Sequence, residues 1–326
     1  DARGEVIQRL EPGRPQPLFT DTGGENLQRH RFTLAQNDVL SLSGPCEVEV
    51  ELRMEDGRPA AETAGHLADP ESVRWSFHGA GGEIPFTAVR AEGNGLVLTY
   101  DGAEAFLPDE EGRFAIACTG GPGCGSLMLD GVRLRSRPAG RLPLDGVSNG
   151  DIPLELEEGG YPFGRRPTPY SLCYFRSDQV FRKRGARVNL RLDIAPIVTD
   201  LVDQSPQYQF NQRIIDKRDA VAIVPDDVYV SQVSWEYFNG LGWHPLAVTG
   251  SRNPFSCRQE GELEVVFDVP ADLSETEVNA ESGWYIRARV VHVENEFSMT
   301  PRWVVPFLKG AGCVWAYDAG VPVDAC

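Results

Sequence analysis

The residues of this chain best suited to hold a metal or move a proton are its five histidines, and each lacks the companions either task needs. His30, His66, His78, His244 and His292 are scattered singly through the sequence. His78 and His244 lie near two related glycine-rich turns but at different offsets, so the pattern predicts surface or half-buried side chains and no repeated metal site. The seven cysteines, at 46, 118, 124, 173, 257, 313 and 326, include no CxxC pair. Their odd number and low density predict reduced thiols rather than a disulfide scaffold, several of them packed as small hydrophobes. Asp109-Glu110-Glu111 and Glu157-Glu158 fall in turn contexts, where runs of carboxylates are solvated and do not make an acid and base pair. The sequence has no P-loop and no HExxH. The turn Gly120-Gly-Pro-Gly123 lacks the Lys and the helix that phosphate binding requires. These observations predict no catalytic residue, no metal and no cofactor.

Arginine offers the other chemistry. Residues 1–160 hold 27 acids against 14 Arg and no Lys, and the chain as a whole carries a net charge of −17. A field of that sign opposes general binding to nucleic acid and to anionic membranes. One stretch departs from it: Arg165, Arg166, Arg176, Arg182, Lys183, Arg184, Arg187 and Arg191 face a single acid, Asp178. It reads as a solvated strand-and-turn surface, as a patch that docks on an acidic neighbour, or, least in keeping with the overall charge, as a nucleic-acid contact. Arg287 and Arg289 alternate with Ile286, Ala288 and Val290, which places both guanidinium groups on one strand face. They mark either the solvated side of a half-buried sheet or a bidentate contact with carboxylates across a subunit boundary.

The elements that must carry these residues occur twice. Val73–Phe86 reads VRWSFHGAGGEIPF and Val233–Leu246 reads VSWEYFNGLGWHPL. Trp75 with Phe77, and Trp235 with Tyr237, are spaced to share one face of a strand, and the glycines that follow, Gly240 among them, supply hairpin-turn conformations. The copies part at the second tryptophan, Trp243, where the first has Glu83 and Ile84. Before each hairpin runs an alternating segment, Cys46–Leu52 and Val188–Leu192. After each come two more, Gly95–Tyr100 and Gly112–Cys118 in the first copy, Gly261–Phe267 and Gly283–Val290 in the second. Four strand-like segments in one order, offset by about 140–170 residues, predict an internal duplication.

Composition agrees. A chain of 326 residues fits about two domains of ~150 residues each, and 34 Gly with 24 Pro favour short strands joined by turns. The expectation is an all-β protein of two tandem, related, antiparallel β-sandwich-like domains with long loops and little helix. Residues 1–25 read as a connector, 26–138 as the first unit, 139–150 as a linker, 151–309 as the second unit, and 310–326 as the start of a following segment. Within these, 53–72 reads as a mobile loop, Ser274 with Glu277 as the cap of a short helix, and 196–227 as an inserted arm. The chain opens on Asp1 rather than Met and shows no secretion signal, which predicts a piece excised or trimmed from a longer polypeptide, and the reduced thiols predict a cytosolic product.

Unit two combines Tyr161-Pro-Phe163-Gly164, Phe175 and Phe181 leading into Gly185-Ala-Arg-Val188, Trp235-Glu-Tyr237-Phe-Asn239-Gly240-Leu-Gly242-Trp243, Gly261 with Phe267 and Pro270, and Tyr285-Ile286-Arg287-Ala288-Arg289 before Asn295-Glu-Phe297 and Pro306. This combination resembles the baseplate J-like, or putative baseplate assembly, proteins of contractile phage tails and contractile injection systems. The resemblance covers 160–309 well and 26–137 faintly. It implies a structural module without catalysis that contacts other baseplate or wedge subunits, in a bacterial cytoplasm or a phage-like particle. The family's J-like core domain is not visible here, and the first unit lacks the Arg-Ala-Arg run. A carbohydrate-binding module stays open as the alternative, because Trp243, Trp284, Tyr285 and Trp303 could stack on sugar rings if they were coplanar and exposed.

Overall fold

The computed structural model describes residues 16–17, 30–53, 60–120, 128–129, 131–199, 226–258, 260–318 and 324–325. The protein is all-β, and the chain divides into two compact units: Asp1–Leu142 with Gly185–Arg187 and Val314–Cys326, and Pro143–Arg184 with Val188–Cys313.

In the first unit the strands are β1 (His30–Ala35), β2 (Cys46–Arg53), β3 (Val73–Gly79), β4 (Gly82–Pro85), β5 (Ala88–Glu92), β6 (Gly95–Tyr100), β7 (Ala115–Gly120) and β8 (Gly131–Pro138). One sheet runs β1-β7-β3-β4 and the other β8-β2-β6-β5. Alternation decides which side faces in. Val48, Val50, Leu52, Leu96 and Leu98 of one sheet and Leu34, Trp75, Phe77, Ile116 and Cys118 of the other are all buried, giving a β-sandwich core between the two. Phe77 anchors it, its ring centroid 3.4 Å from that of Phe106 and 4.3 Å from that of Phe86.

The second unit repeats this plan. After β9 (Gly146–Asn149) come β10 (Leu172–Arg176), β11 (Arg187–Thr199), β12 (Asp226–Phe238), β13 (Trp243–Pro245), β14 (Thr249–Gly250), β15 (Gly261–Asp268), β16 (Tyr285–Glu294) and β17 (Pro301–Asp318). One sheet runs β10-β16-β12-β13, with β9 beyond β10, and β11 lies between β15 and β17, with β14 outside β15. Each strand of the first unit thus has a counterpart with the same neighbours, and β12 has one more, a parallel pairing of Asp226–Val228 with Pro301–Trp303 of β17. The register agrees as well. Trp75 pairs with Cys118 and Phe77 with Ile116; Trp235 pairs with Ala288 and Tyr237 with Ile286. The two tryptophans are 4 % and 3 % exposed. Both hairpins close on the tryptophan backbone, Phe86 N–H donating to the Trp75 carbonyl at 3.2 Å and Leu246 N–H to the Trp235 carbonyl at 2.8 Å. The duplication read from sequence is therefore a duplication of topology and of core anchor.

Three expectations change. Residues 53–72 do not form one long loop: Ala61–Ala68 is a two-turn helix, α1, whose Ala64 and Leu67 are buried, and the Leu67 carbonyl accepts the Trp75 indole N–H at 2.9 Å. Residues 54–59 lie outside the described residues. Ser274 starts no helix. Thr276–Val278 and Glu281–Gly283 pair as a hairpin across Asn279 and Ala280, both at positive φ, because β-branched Thr276 and Val278 favour extended backbone and Asn tolerates the left-handed turn. The tail does not open a new segment as far as it is described. Tyr317 and Asp318 at the end of β17 pair with Ser136 and Arg135 of β8, and Asp324–Ala325 pairs with β1. Most of the proposed arm, 200–225, lies outside the described residues, as do Gly121–Gly125, Cys326 and nearly all of 1–25.

Candidate functional site

The outer face of the second unit's first sheet holds a buried ion cluster, its Glu236 side chain only 8 % exposed. Glu236 follows Trp235 on β12, so the pleat that buries the tryptophan turns the carboxylate to the opposite face. There it is opposite Arg287 on β16, and Ser234 is opposite Arg289. Each guanidinium takes one carboxylate oxygen. Arg287 reaches Oε2 through Nε at 2.8 Å and Nη2 at 2.7 Å, and Arg289 reaches Oε1 at the same two distances. Aromatic rings wall the group. The Arg287 guanidinium lies 4.1 Å from the Trp243 ring centroid and 5.9 Å from that of Tyr174, and Arg289 lies 5.9 Å from that of Tyr170. Burial pushes the Glu236 carboxyl up, but the hydrogen bonds and charges of Arg289 and Arg287 outweigh it and hold the group below its ordinary value.

This clamp belongs to the second unit alone. At the register positions of Glu236, Arg287 and Arg289 the first unit has Ser76, Ala117 and Thr119. Arg287 and Arg289 are accordingly occupied within the chain, where the sequence left open a contact across a subunit boundary. Glu236 was missed in the sequence because a single acid between two core aromatics looks like an ordinary solvent-facing position. Only its register with Arg287 gives it away.

The basic stretch from 165 to 191 does not form one patch. Arg165 and Arg166 precede β10 and Arg182 and Arg184 follow it, all four exposed. Lys183, expected at the surface, is 1 % exposed and part of the interior. Arg191 is committed to Glu262 and Glu264, and Arg187 is exposed at the start of β11. Arg176 grips Asp178 with Nη2 at 2.7 Å and Glu281 with Nη1 at 3.0 Å. The same Asp178 carboxylate accepts the Trp284 backbone N–H at 3.0 Å. This knot explains Gly283, where a Cβ would stand 2.5 Å from Arg176 Nε and 2.7 Å from Asp178 Oδ1. Gly283→Ala should therefore lower stability by about 1–2 kcal/mol, the ordinary scale of overpacking, and chemical denaturation of the variant beside wild type measures it.

The hairpin residues divide by role. Trp75, Phe77 and Trp235 are core, and Tyr237 is half-buried with its hydroxyl donating to Asp272 at 3.0 Å. Gly240, at φ +91°, shapes the tip beside Leu241. Of the aromatics that could stack on sugars, Tyr285 is buried with its hydroxyl on the Glu281 carbonyl, while Trp243, Trp284 and Trp303 are half-buried.

No group of three or more His, Cys, Asp and Glu residues among those described could hold a metal. Cys46, Cys118, Cys173, Cys257 and Cys313 are free thiols, while Cys124 and Cys326 lie outside the described residues. Burial drives the Cys173 and Cys257 thiols up, the latter to about 12, which removes both from thiolate chemistry at neutral pH. No helix among the described residues is long and apolar enough to cross a membrane.

No family model matches this chain, and no curated protein does.

The sequence signature and the geometry therefore meet in the clamp itself. Trp-Glu-Tyr and Ile-Arg-Ala-Arg, about fifty residues apart in the chain, lie side by side in one sheet with Glu236 against Arg287. The arrangement fixes two strands to each other.

Proposed function

We propose that this chain is a non-catalytic structural module of a contractile-tail baseplate, phage-like or of an injection system, that works through contacts with other protein subunits. The observation that carries the reading is the pairing of the two motif pieces on which the baseplate resemblance rests. Trp235-Glu-Tyr237 and Ile286-Arg-Ala-Arg289 act on each other as a folding device, the use expected of a signature in a structural part rather than in an enzyme. The net charge of −17 argues for protein partners over nucleic acid.

Arg182 and Arg184 are the basic residues of the central run left on the surface, and they are the natural contact for an acidic neighbour. Reversing both, with the buried Lys183 untouched, should reduce incorporation into particles roughly tenfold, since placing like charges together at an interface costs several kcal/mol. The melting temperature should stay within about 1 °C of wild type, as surface changes away from structural features are nearly neutral. Quantitative sedimentation of particles from cells expressing the whole assembly reads the first, and calorimetry the second. Normal incorporation of the variant would remove Arg182 and Arg184 from the interface.

A further inference from the structure

The turn between β16 and β17 exposes two large apolar side chains that the clamp and the basic residues do not involve. Phe297 is 92 % and Met299 89 % exposed. Exposed apolar residues scattered singly are commonplace, but these two flank one residue on a turn that is tightly fixed. Asn295, at φ +54°, donates its side-chain amide to the Asp227 carbonyl at 2.9 Å. Ser298 N–H donates to the Asn295 carbonyl. The Ser298 hydroxyl donates to Asp226 Oδ2 at 2.8 Å and accepts the Thr300 N–H at 3.1 Å, and Asp226 N–H closes the loop on the Thr300 carbonyl at 3.0 Å. Pinned between these bonds, Ser298 keeps its two neighbours from folding back onto the sheet. A chain that only tolerated exposed Phe and Met would not need such a mount. One that presents them gains by it, because ordering cost is removed before binding.

The charge around the turn says what it fits. Among the described residues Glu294, Glu296 and Asp226 border it, while Asp227 is matched by Arg302 and Arg258 hydrogen-bonds Tyr229 at 3.2 Å. An anionic lipid surface or a nucleic acid would be repelled. A protein surface with an apolar socket rimmed by Lys or Arg is complementary in both respects, and Phe and Met are among the side chains enriched in protein interface cores.

We infer that the turn Asn295–Thr300 is a preformed knob that docks Phe297 and Met299 into an apolar, basic-rimmed socket of another protein. This rests on the reading of the chain as a module of a larger assembly and adds the contact that joins it.

The test places the photo-crosslinking residue p-benzoylphenylalanine at position 297, and at position 241 as a comparison, in the full chain expressed with its native assembly. Adducts are mapped to the residue by mass spectrometry, and incorporation into particles is followed by sedimentation. The expected result is one dominant adduct from position 297, absent from 241, to a second protein at a site of apolar residues with Lys or Arg beside them. Incorporation without any adduct at 297 would overturn the knob and leave the structural role standing. An adduct to residues 200–225 of the same chain would also overturn it, since the knob would then be covered by its own protein. The expected adduct outside any particle would support the knob and overturn the baseplate reading, and neither adduct nor particle would overturn both. A Phe297→Ser, Met299→Ser variant with an unchanged melting temperature and at least tenfold less of the partner bound completes the support. One that melts markedly lower would show these side chains to be internal packing instead.

Discussion

Trp235→Ala should lower the stability of the second unit by about 3–5 kcal/mol, the range for emptying a large aromatic position in a core. The ring is 3 % exposed and lies 5.7 Å from Phe175 and 6.0 Å from Phe255, centroid to centroid. Its indole N–H donates to the Arg252 carbonyl at 3.1 Å, so truncation also leaves that acceptor without its donor. The neighbours are aromatic and held in strands or in the capped turn at Pro254–Ser256, and stiff neighbours collapse little into a void. Trp75→Ala is the internal comparison, because it removes the same anchor with its own indole bond to Leu67 and should cost a similar amount. Urea denaturation followed by circular dichroism measures both. A loss under about 1 kcal/mol for either would mean that the tryptophan is not the anchor of its sandwich.

That anchor was the most legible feature of the sequence, and the reason is periodicity. A Trp and an aromatic two residues on, a glycine turn and a following Pro fix a hairpin and its inner face with local information alone, and the repetition of the pattern supplied the topology. What escaped was either weakly periodic or non-local. Helix α1 is written in Ala-Glu-Thr-Ala-Gly-His-Leu-Ala, with Leu67 its only large apolar residue; its place is set by the Trp75 indole it serves. The hairpin at Thr276–Gly283 was hidden because Ala280 adopts a positive φ, which nothing local announces. Lys183 was grouped with Arg182 and Arg184 by charge, and no periodicity marks it as buried, because it sits in the run of turns between β10 and β11. The clamp was half visible. Arg287 and Arg289 were placed on one face correctly, but the sequence left a solvated face and a contact across a subunit boundary both open, and their partner lay in the adjacent strand.

Glu236→Gln should cost about 2–4 kcal/mol at neutral pH, although it changes hardly any volume. The amide keeps one acceptor oxygen and turns an NH2 group toward guanidinium donors, so two arginines lose their counter-charge and one faces a donor. Breaking a fully buried pair costs about 3–5 kcal/mol. The Arg287 and Arg289 side chains keep 15 % and 29 % exposure, and water recovers part of that. The pH dependence gives the sign. Because the Glu236 carboxyl is held below its ordinary value, its stabilisation is complete above the carboxylate value of the unfolded chain and disappears as pH falls through the lower folded value. The gap between wild type and Glu236→Gln should therefore close in acid, provided both remain folded there. The first unit supplies a further test, for it makes the same sheet with Ser76, Ala117 and Thr119 in these places. Copying that solution, as Glu236→Ser, Arg287→Ala and Arg289→Thr together, removes the charges as a set and leaves none stranded. The triple variant should lose less than Glu236→Gln alone, a non-additivity expected only of groups that act on one another. Equal or greater loss would mean that the clamp contributes net stability beyond satisfying its own charges.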